Sequence, residues 1–105
     1  MNIHPANVVM TARVAYWTED RADRTRWLLE CLTRHNTGDW GDLDPDDIAV
    51  NNHAVRHRTG RLLSVYTVPA ELVADTDTTD DTIWIITDDL DDPDTATTIL
   101  WPSDY

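Results

Sequence analysis

Two patterns of apolar positions follow one another at the start of this sequence. Residues 8–16 are apolar at every second position, which is typical of a half-buried strand, although a helix beginning near Thr11 is the alternative. From Glu19 to His35 the apolar residues instead fall on one face of a helix. Thr18 precedes two acids, which favours it as the N-cap of this helix. We therefore predict a strand at 8–16 and a helix at Glu19–His35.

A second helix is predicted from the residues that would begin and end it. Residues tolerant of left-handed backbone favour a turn over 37–43. Asp44 then stands where an N-cap is required, and Pro45 follows at the first helical position, where its missing N–H costs nothing. We expect this helix to end near Arg58, before Gly60.

The period changes to that of β-strands after residue 61. Residues 62–66 alternate, Thr82–Thr87 is apolar on both faces and therefore central, and residues 95–101 are rich in β-branched side chains. Connections that contain Asp and Pro favour hairpins between these strands. The predicted fold class is α+β: two helices packed on a three- to four-stranded antiparallel β-meander, two layers in a single domain over residues 1–105.

Charge is distributed unevenly along the chain. The sequence has a formal net charge of -12 and contains no Lys. Residues 1–61 have nine acids and eight arginines, a balance of -1, whereas residues 62–105 have eleven acids and no Lys or Arg, a balance of -11. Such a chain lacks the basic clusters that bind nucleic acid or anionic membranes directly. It also lacks an apolar run of bilayer-spanning length, so we expect a cytoplasmic protein.

The acids of the second half gather in the two connections that flank residues 82–87. A meander sends these connections to opposite ends of its sheet, about 20 Å apart for a strand of this length. Eleven carboxylates equal the charge of about 19 Å of duplex DNA, and a domain of this length is about 33 Å across. The charge is therefore of the right order for a protein that imitates nucleic acid. The alternative is an acidic surface that is only solvated, or that reflects a salt-rich habitat or a biased genome composition.

Motifs for metal or catalytic chemistry are weak. Acids alternate from Asp42 to Asp46 as in an EF-hand, but Asp47 and His53 stand where that loop requires Gly and Glu, so a helix N-cap explains them better. His53 and His57 lie four apart on the second helix, a spacing that can hold a metal, although no Cys or suitably spaced Glu accompanies them. No phosphate-binding glycine loop is present, and we predict neither an enzyme nor a cofactor.

Three further residues have predicted roles. Cys31 is expected to be a small buried hydrophobe, and as the only cysteine it forms no internal disulfide. Ser64 lacks the Gly-x-Ser-x-Gly setting of an exposed nucleophile and is expected to be an ordinary strand residue. Trp40, between Gly38 and Gly41, either anchors its turn in the core, which we favour, or stands out as a partner contact.

Several segments resemble a group of small proteins encoded on bacterial plasmids and other mobile elements. These segments are His35-Asn-Thr-Gly-Asp-Trp-Gly-Asp-Leu-Asp44, Asn51 or Asn52, Gly60-Arg-Leu-Leu-Ser-Val-Tyr66, Ile83-Trp-Ile-Ile-Thr87 and the run from Thr97 to Tyr105. The similarity covers residues 32–105. The resemblance implies a mobile-element setting rather than a particular activity.

The sequence departs from the family pattern in both sheet connections. Where the family continues from Trp-Ile-Ile-Thr into a short turn that contains an Arg, residues 88–94 are Asp-Asp-Leu-Asp-Asp-Pro-Asp. The connection before Thr82 is also longer and richer in Asp than in the family. Additional Asp residues in these two connections would suit a protein that blocks the DNA-binding surface of a host nuclease.

Our first hypothesis is therefore a non-enzymatic inhibitor that imitates DNA and blocks a host DNA-binding defence complex, of anti-restriction or anti-CRISPR type. We expect its partner to be a basic nucleic-acid-binding protein or complex. The predicted partner contacts are acids of the two connections and residues of the Trp40 turn, namely Asp75, Asp77, Asp80, Asp81, Asp88, Asp89, Asp91, Asp92, Asp94, Trp40, Asp39 and Asp42.

Two alternatives belong to other functional classes. An accessory interaction module would bind a protein partner through residues 37–44 and Trp40, with an acidity that reflects only solvation or a halophilic setting. A small metal-dependent enzyme would use Asp39, Asp42, His53 and His57.

Overall fold

The computed structural model describes residues 7–73 and 80–105. These residues form β1 (Val8–Met10), α1 (Ala12–Thr18), α2 (Ala22–Asn36), α3 (Pro45–His57), β2 (Leu62–Thr67), α4 (Ala70–Val73), β3 (Thr82–Thr87) and β4 (Thr97–Leu100), followed by a short 3-10 turn at Pro102–Asp104. The class is α+β, as the sequence predicts. Besides the two predicted helices, the described residues contain two more, α1 and the single-turn helix α4.

The strands form one mixed sheet in the order β1-β4-β3-β2. β2, β3 and β4 are antiparallel neighbours, so the predicted meander is confirmed for these three strands, with β3 inside the sheet. The prediction of a purely antiparallel sheet is wrong, because β1 pairs with β4 in parallel. A parallel neighbour needs a long connection, and α1 to α4 all lie between β1 and β4 in the chain.

The N-terminal strand is shorter than predicted, and the helical alternative is correct for the rest of residues 8–16. The chain leaves β1 at Thr11, whose hydroxyl accepts a hydrogen bond from the Val14 N–H and caps α1. The Thr11 N–H still donates to the Ile99 carbonyl of β4 at 3.0 Å, so the helix follows the strand directly. The alternation of apolar residues predicted a strand here because α1 is short and buries only Val14 and Trp17, too few positions to show a helical period.

The helix predicted from Glu19 begins three residues later than expected. α1 ends at Thr18, Asp20 adopts left-handed backbone with a φ of 57°, and α2 begins at Ala22. Thr18 is therefore not the N-cap, and its hydroxyl donates to the Ala15 carbonyl at 3.0 Å. Asp tolerates this backbone better than most residues. The corner allows both α1 and α2 to pack on the sheet.

The predicted helix after residue 43 is confirmed at both ends. The Asp44 carboxylate accepts hydrogen bonds from the N–H groups of Asp46 and Asp47, and Pro45 occupies the first helical turn. α3 ends at His57, and its C-cap Arg58 has a left-handed φ of 52°. Asp44 thus acts as the helix cap that the sequence favours over a calcium ligand.

The sheet has two different faces because side chains alternate along each strand. The inner face lies under α1 and α2, and its buried residues are Leu62, Ser64, Tyr66, Ile83, Ile85, Thr87, Thr97, Ile99 and Trp101. The outer face consists of Val9, Leu63, Val65, Trp84, Ile86, Thr98 and Leu100. Ile86 and Leu100 are buried there, whereas the other five residues are partly or largely exposed.

Candidate functional site

The turn that contains Trp40 covers the free edge of β2. An edge strand leaves its outward N–H and C=O groups unpaired unless another segment meets them. Here the Val65 N–H donates to the Trp40 carbonyl at 3.1 Å, and the Val65 carbonyl accepts from the Asp42 N–H at 2.7 Å. Gly41 lies between these two contacts with a left-handed φ of 73°, and a Cβ at this position would collide with the Val65 carbonyl oxygen.

Two side chains complete this edge. The Asn51 amide donates to the Leu63 carbonyl at 2.6 Å and accepts from the Leu63 N–H at 3.2 Å. The Asp42 carboxylate accepts from the N–H and the hydroxyl of Thr67, at 3.2 and 2.6 Å. Trp40, Asp42 and Asn51 therefore have a structural role, because they cover the hydrogen-bonding groups at the free edge of β2.

The Trp40 ring itself is only 4% exposed. Its indole N–H donates to the Asn52 side-chain oxygen at 3.1 Å, and its ring meets that of His35 edge-on with centroids 5.8 Å apart. The anchor interpretation is confirmed, and the alternative in which the ring stands out from the turn is wrong. The neighbouring Asp39 is also bonded within the chain, because the Arg34 guanidinium contacts its carboxylate at 2.8 and 3.2 Å and lowers its pKa.

A buried polar network connects the end of α2 to the inner face of the sheet. His35 Nδ1 is 2.6 Å from the Ser64 hydroxyl, and His35 Nε2 is 2.9 Å from the Thr87 hydroxyl, which lies 2.9 Å from that of Thr97. Burial lowers the pKa of His35 to about 4, so the ring is neutral near pH 7. A Ser–His pair can form a nucleophilic site, but both side chains are 0% exposed. We therefore interpret the network as structural.

Sequence reasoning missed this network, although one feature pointed to it. Ser64 is expected to be a strand residue and is one, but its hydroxyl is fully buried. Ser64, Thr87 and Thr97 are polar residues at positions that the strand alternation assigns to the buried face. Buried hydroxyls need hydrogen-bond partners, and a polar side chain from the covering helix is one way to supply them. Only the packed structure shows that this side chain is His35.

Five carboxylates lie together on residues 88–94, which we call the acidic loop. They belong to Asp88, Asp89, Asp91, Asp92 and Asp94, and all five residues are exposed. The loop joins β3 to β4 at the end of the sheet opposite to the connection that precedes Thr82, as the meander predicts. All the predicted contacts of this second connection are therefore brought to one place.

The acidic loop is ordered by its own side chains and by the turn before β2. The Asp89 carboxylate accepts from the Asp91 N–H at 2.9 Å, and the Asp92 carboxylate accepts from the Asp94 N–H at 2.8 Å. Leu90 donates its N–H to the carbonyl of residue 60 at 2.8 Å, and the Thr59 hydroxyl donates to the Asp91 carboxylate at 2.9 Å. These bonds order the loop backbone and fix the carboxylates of Asp89, Asp91 and Asp92.

The predicted partner contacts in the connection before β3 differ from the acidic loop in their surroundings. Asp75 and Asp77 lie outside the described residues. Asp80 lies 3.9 Å from a guanidinium nitrogen of Arg13, and its side chain is only 14% exposed. Asp81 is exposed, and its carbonyl accepts from the N–H of residue 68 at 2.8 Å.

The four residues of the metal-enzyme alternative are not brought together. Asp39 and Asp42 are bonded at the edge of β2, whereas the rings of His53 and His57 lie side by side on the exposed face of α3, with centroids 4.3 Å apart. Within residues 7–73 and 80–105, no three His, Cys, Asp or Glu side chains are grouped closely enough to hold a metal ion.

The sequence matches no protein-family model, no curated protein and no solved structure. The resemblance to plasmid and mobile-element proteins therefore stays a prediction. In the described part of the chain, none of the helices has both the length and the apolar character that crossing a membrane requires.

Proposed function

We propose that this chain is a non-enzymatic binding protein whose acidic loop occupies a basic, nucleic-acid-binding surface of a partner protein. The observation that supports the proposal is the arrangement of residues 88–94, which carry five exposed carboxylates, three of them held by hydrogen bonds from Thr59 and from the loop backbone. A loop that is ordered before binding loses less conformational entropy on association.

The charge of the loop is not neutralised within the described structure. Some carboxylates elsewhere are paired with arginines, namely those of Asp104 with Arg13, Asp23 with Arg21 and Asp39 with Arg34. None of the ion pairs among the described residues involves residues 88–94. The field of the loop is therefore available to attract a cationic partner and to accelerate its association at low ionic strength.

The size of this charge fits part of a DNA-binding groove. Five carboxylates equal the charge of about 8 Å of duplex, which is a few phosphates on each strand. A partner that recognises the phosphate backbone through Arg and Lys would bind them without any base contact. Together with the mobile-element resemblance, this favours a restriction endonuclease or a CRISPR nuclease as the partner, and inhibition of DNA binding as the activity.

The test is to neutralise the acidic loop without changing its shape. Converting its five aspartates to asparagine retains the oxygen that each Asx turn requires, and changes the net charge from -12 to -7. The matched control removes five exposed carboxylates elsewhere, with Glu19→Gln, Asp20→Asn, Glu30→Gln, Asp47→Asn and Glu71→Gln, and also has a net charge of -7.

DNA cleavage by a restriction endonuclease and by a guide-loaded Cas9-type nuclease is then measured against increasing amounts of each protein. We expect the parent and the control to inhibit competitively with DNA, more weakly at about 0.5 M than at about 0.1 M salt. The loop variant is expected to inhibit at least about tenfold less. No inhibition by the parent, or equal inhibition by the two variants, contradicts the proposal.

A further inference from the structure

We infer that the binding surface continues from the acidic loop onto the outer face of the sheet, where Trp84 and Tyr105 form an aromatic seat for an arginine side chain of the partner. The inference rests on the proposed function and specifies the chemistry of the partner. It requires three features: an exposed aromatic pair, its continuity with the acids, and a preference for arginine.

The aromatic pair lies on the side of the sheet that α1 and α2 do not cover. Trp84 is the centre of a cross-strand row with Val65 and Leu100, and its ring is partly exposed. The 3-10 turn after β4 brings Tyr105 back over this row, where the two rings meet edge-on with centroids 5.7 Å apart. Tyr105 is 70% exposed, so much of its side chain is accessible to a partner although Arg61 and Trp84 also contact the ring.

The aromatic pair is continuous with the acidic loop. The Asp88 N–H donates to the Ala96 carbonyl at 3.1 Å, which extends the pairing of β3 and β4 by one residue. Asp88 therefore follows Trp84 and Ile86 on the outer face, about 13 Å along the strand from Trp84. One partner surface can contact both the acids and the rings.

The chain itself shows that a guanidinium fits at this place. The Arg61 guanidinium lies 5.1 Å from the centre of the Tyr105 ring and donates a hydrogen bond to the Tyr105 hydroxyl at 2.8 Å. Arginine stacks on aromatic rings more favourably than lysine because its planar cation is delocalised and weakly hydrated. Carboxylates beside an open aromatic ring thus complement an arginine-rich surface, whereas carboxylates alone attract both cations alike.

The experiment compares two fluorescent peptides, nona-arginine and nona-lysine, by anisotropy titration against the full chain. We expect the parent to bind the arginine peptide about two- to fivefold more tightly. Tyr105→Leu is expected to abolish this preference and Tyr105→Phe to retain it. The matched control is Tyr16→Leu on α1, a tyrosine that is 79% exposed, and it is expected to leave the preference unchanged.

The outcomes separate this inference from the proposed function. Equal affinities of the parent for the two peptides, or an arginine preference that survives Tyr105→Leu, overturns the inference. If neutralising the acidic loop still relieves nuclease inhibition in that case, the proposed function stands alone. If the loop variant inhibits the nucleases as well as its control does, the proposed function fails and the inference fails with it.

Discussion

The side chain of Asn51 pairs with the backbone of Leu63 as a neighbouring strand would. Its amide nitrogen donates to the Leu63 carbonyl at 2.6 Å, and its oxygen accepts from the Leu63 N–H at 3.2 Å. Together with the Trp40 turn, this contact leaves little of the outer edge of β2 open. Open strand edges pair with other chains, so the closure also protects the protein against edge-to-edge association.

Replacing Asn51 by Ala is expected to lower the free energy of unfolding by about 2 kcal/mol, because both backbone groups of Leu63 lose their partner. Urea denaturation measures the change. The control is Val50→Ala, which alters the neighbouring residue of α3, 62% exposed, and is expected to cost less than about 0.5 kcal/mol. Equal losses in the two variants would show that the edge contact is not important.

Two glycines provide a second matched comparison. Gly41→Ala is expected to destabilise by about 3 kcal/mol or more, because the new methyl group meets the Val65 carbonyl and the Tyr66 ring. Gly60 has a similar left-handed φ of 85°, but a Cβ there meets nothing within 4 Å. Gly60→Ala should therefore lower the free energy of unfolding only by the cost of placing a residue with a Cβ in left-handed backbone, about 1 kcal/mol. Thermal unfolding of both variants tests the difference, and similar losses would exclude a role for close approach.

Stability is expected to fall between about pH 6.5 and pH 4 because of His35. Burial lowers its pKa from 6.5 to about 4, so in this window the unfolded chain binds a proton that the folded protein excludes. This loss of stability is absent well above the unfolded-state pKa of 6.5 and grows as the pH falls towards the folded-state pKa of about 4. From about pH 7.5 to about pH 5 we expect a loss of about 2 kcal/mol.

Urea titrations at the two pH values measure this loss, and NMR titration of the imidazole gives the pKa directly. The double variant His53→Asn and His57→Asn, which changes two exposed rings on α3, should retain the loss. His35→Asn should reduce it even if the variant is less stable overall. Protonation of His35 near pH 6.5 in the folded protein would contradict the prediction.

Cys31 is expected to be unreactive in the folded protein. Its side chain is 1% exposed, and burial raises the pKa of its thiol to about 12. The thiolate is the reactive species, so DTNB should label the native protein only as fast as it unfolds. One equivalent should react at once in concentrated urea, and rapid labelling without urea would disprove the buried position.

The features that the sequence predicted correctly depend on residues close together in the chain. Asp44 caps α3 because its carboxylate needs only the next turn of backbone. Thr82–Thr87 is an interior strand because its own residues are apolar on both faces. The corner at Asp20 was missed because residues 8–16 alternate as a strand does, so the short helix α1 that precedes the corner was not predicted.

The sequence by itself determined the α+β class, the helix at residues 45–57, the meander, the buried Cys31 and the strongly acidic second half. Only the tertiary structure decided which acids remain unpaired: Asp104 meets Arg13, Asp39 meets Arg34, and residues 88–94 meet no arginine in the described structure. It also decided the parallel pairing of β1 and the position of His35. The physical reason is distance along the chain. His35 and Thr87 are 52 residues apart and Arg13 and Asp104 are 91 apart, so these partners meet only when the whole sheet and its helices have packed.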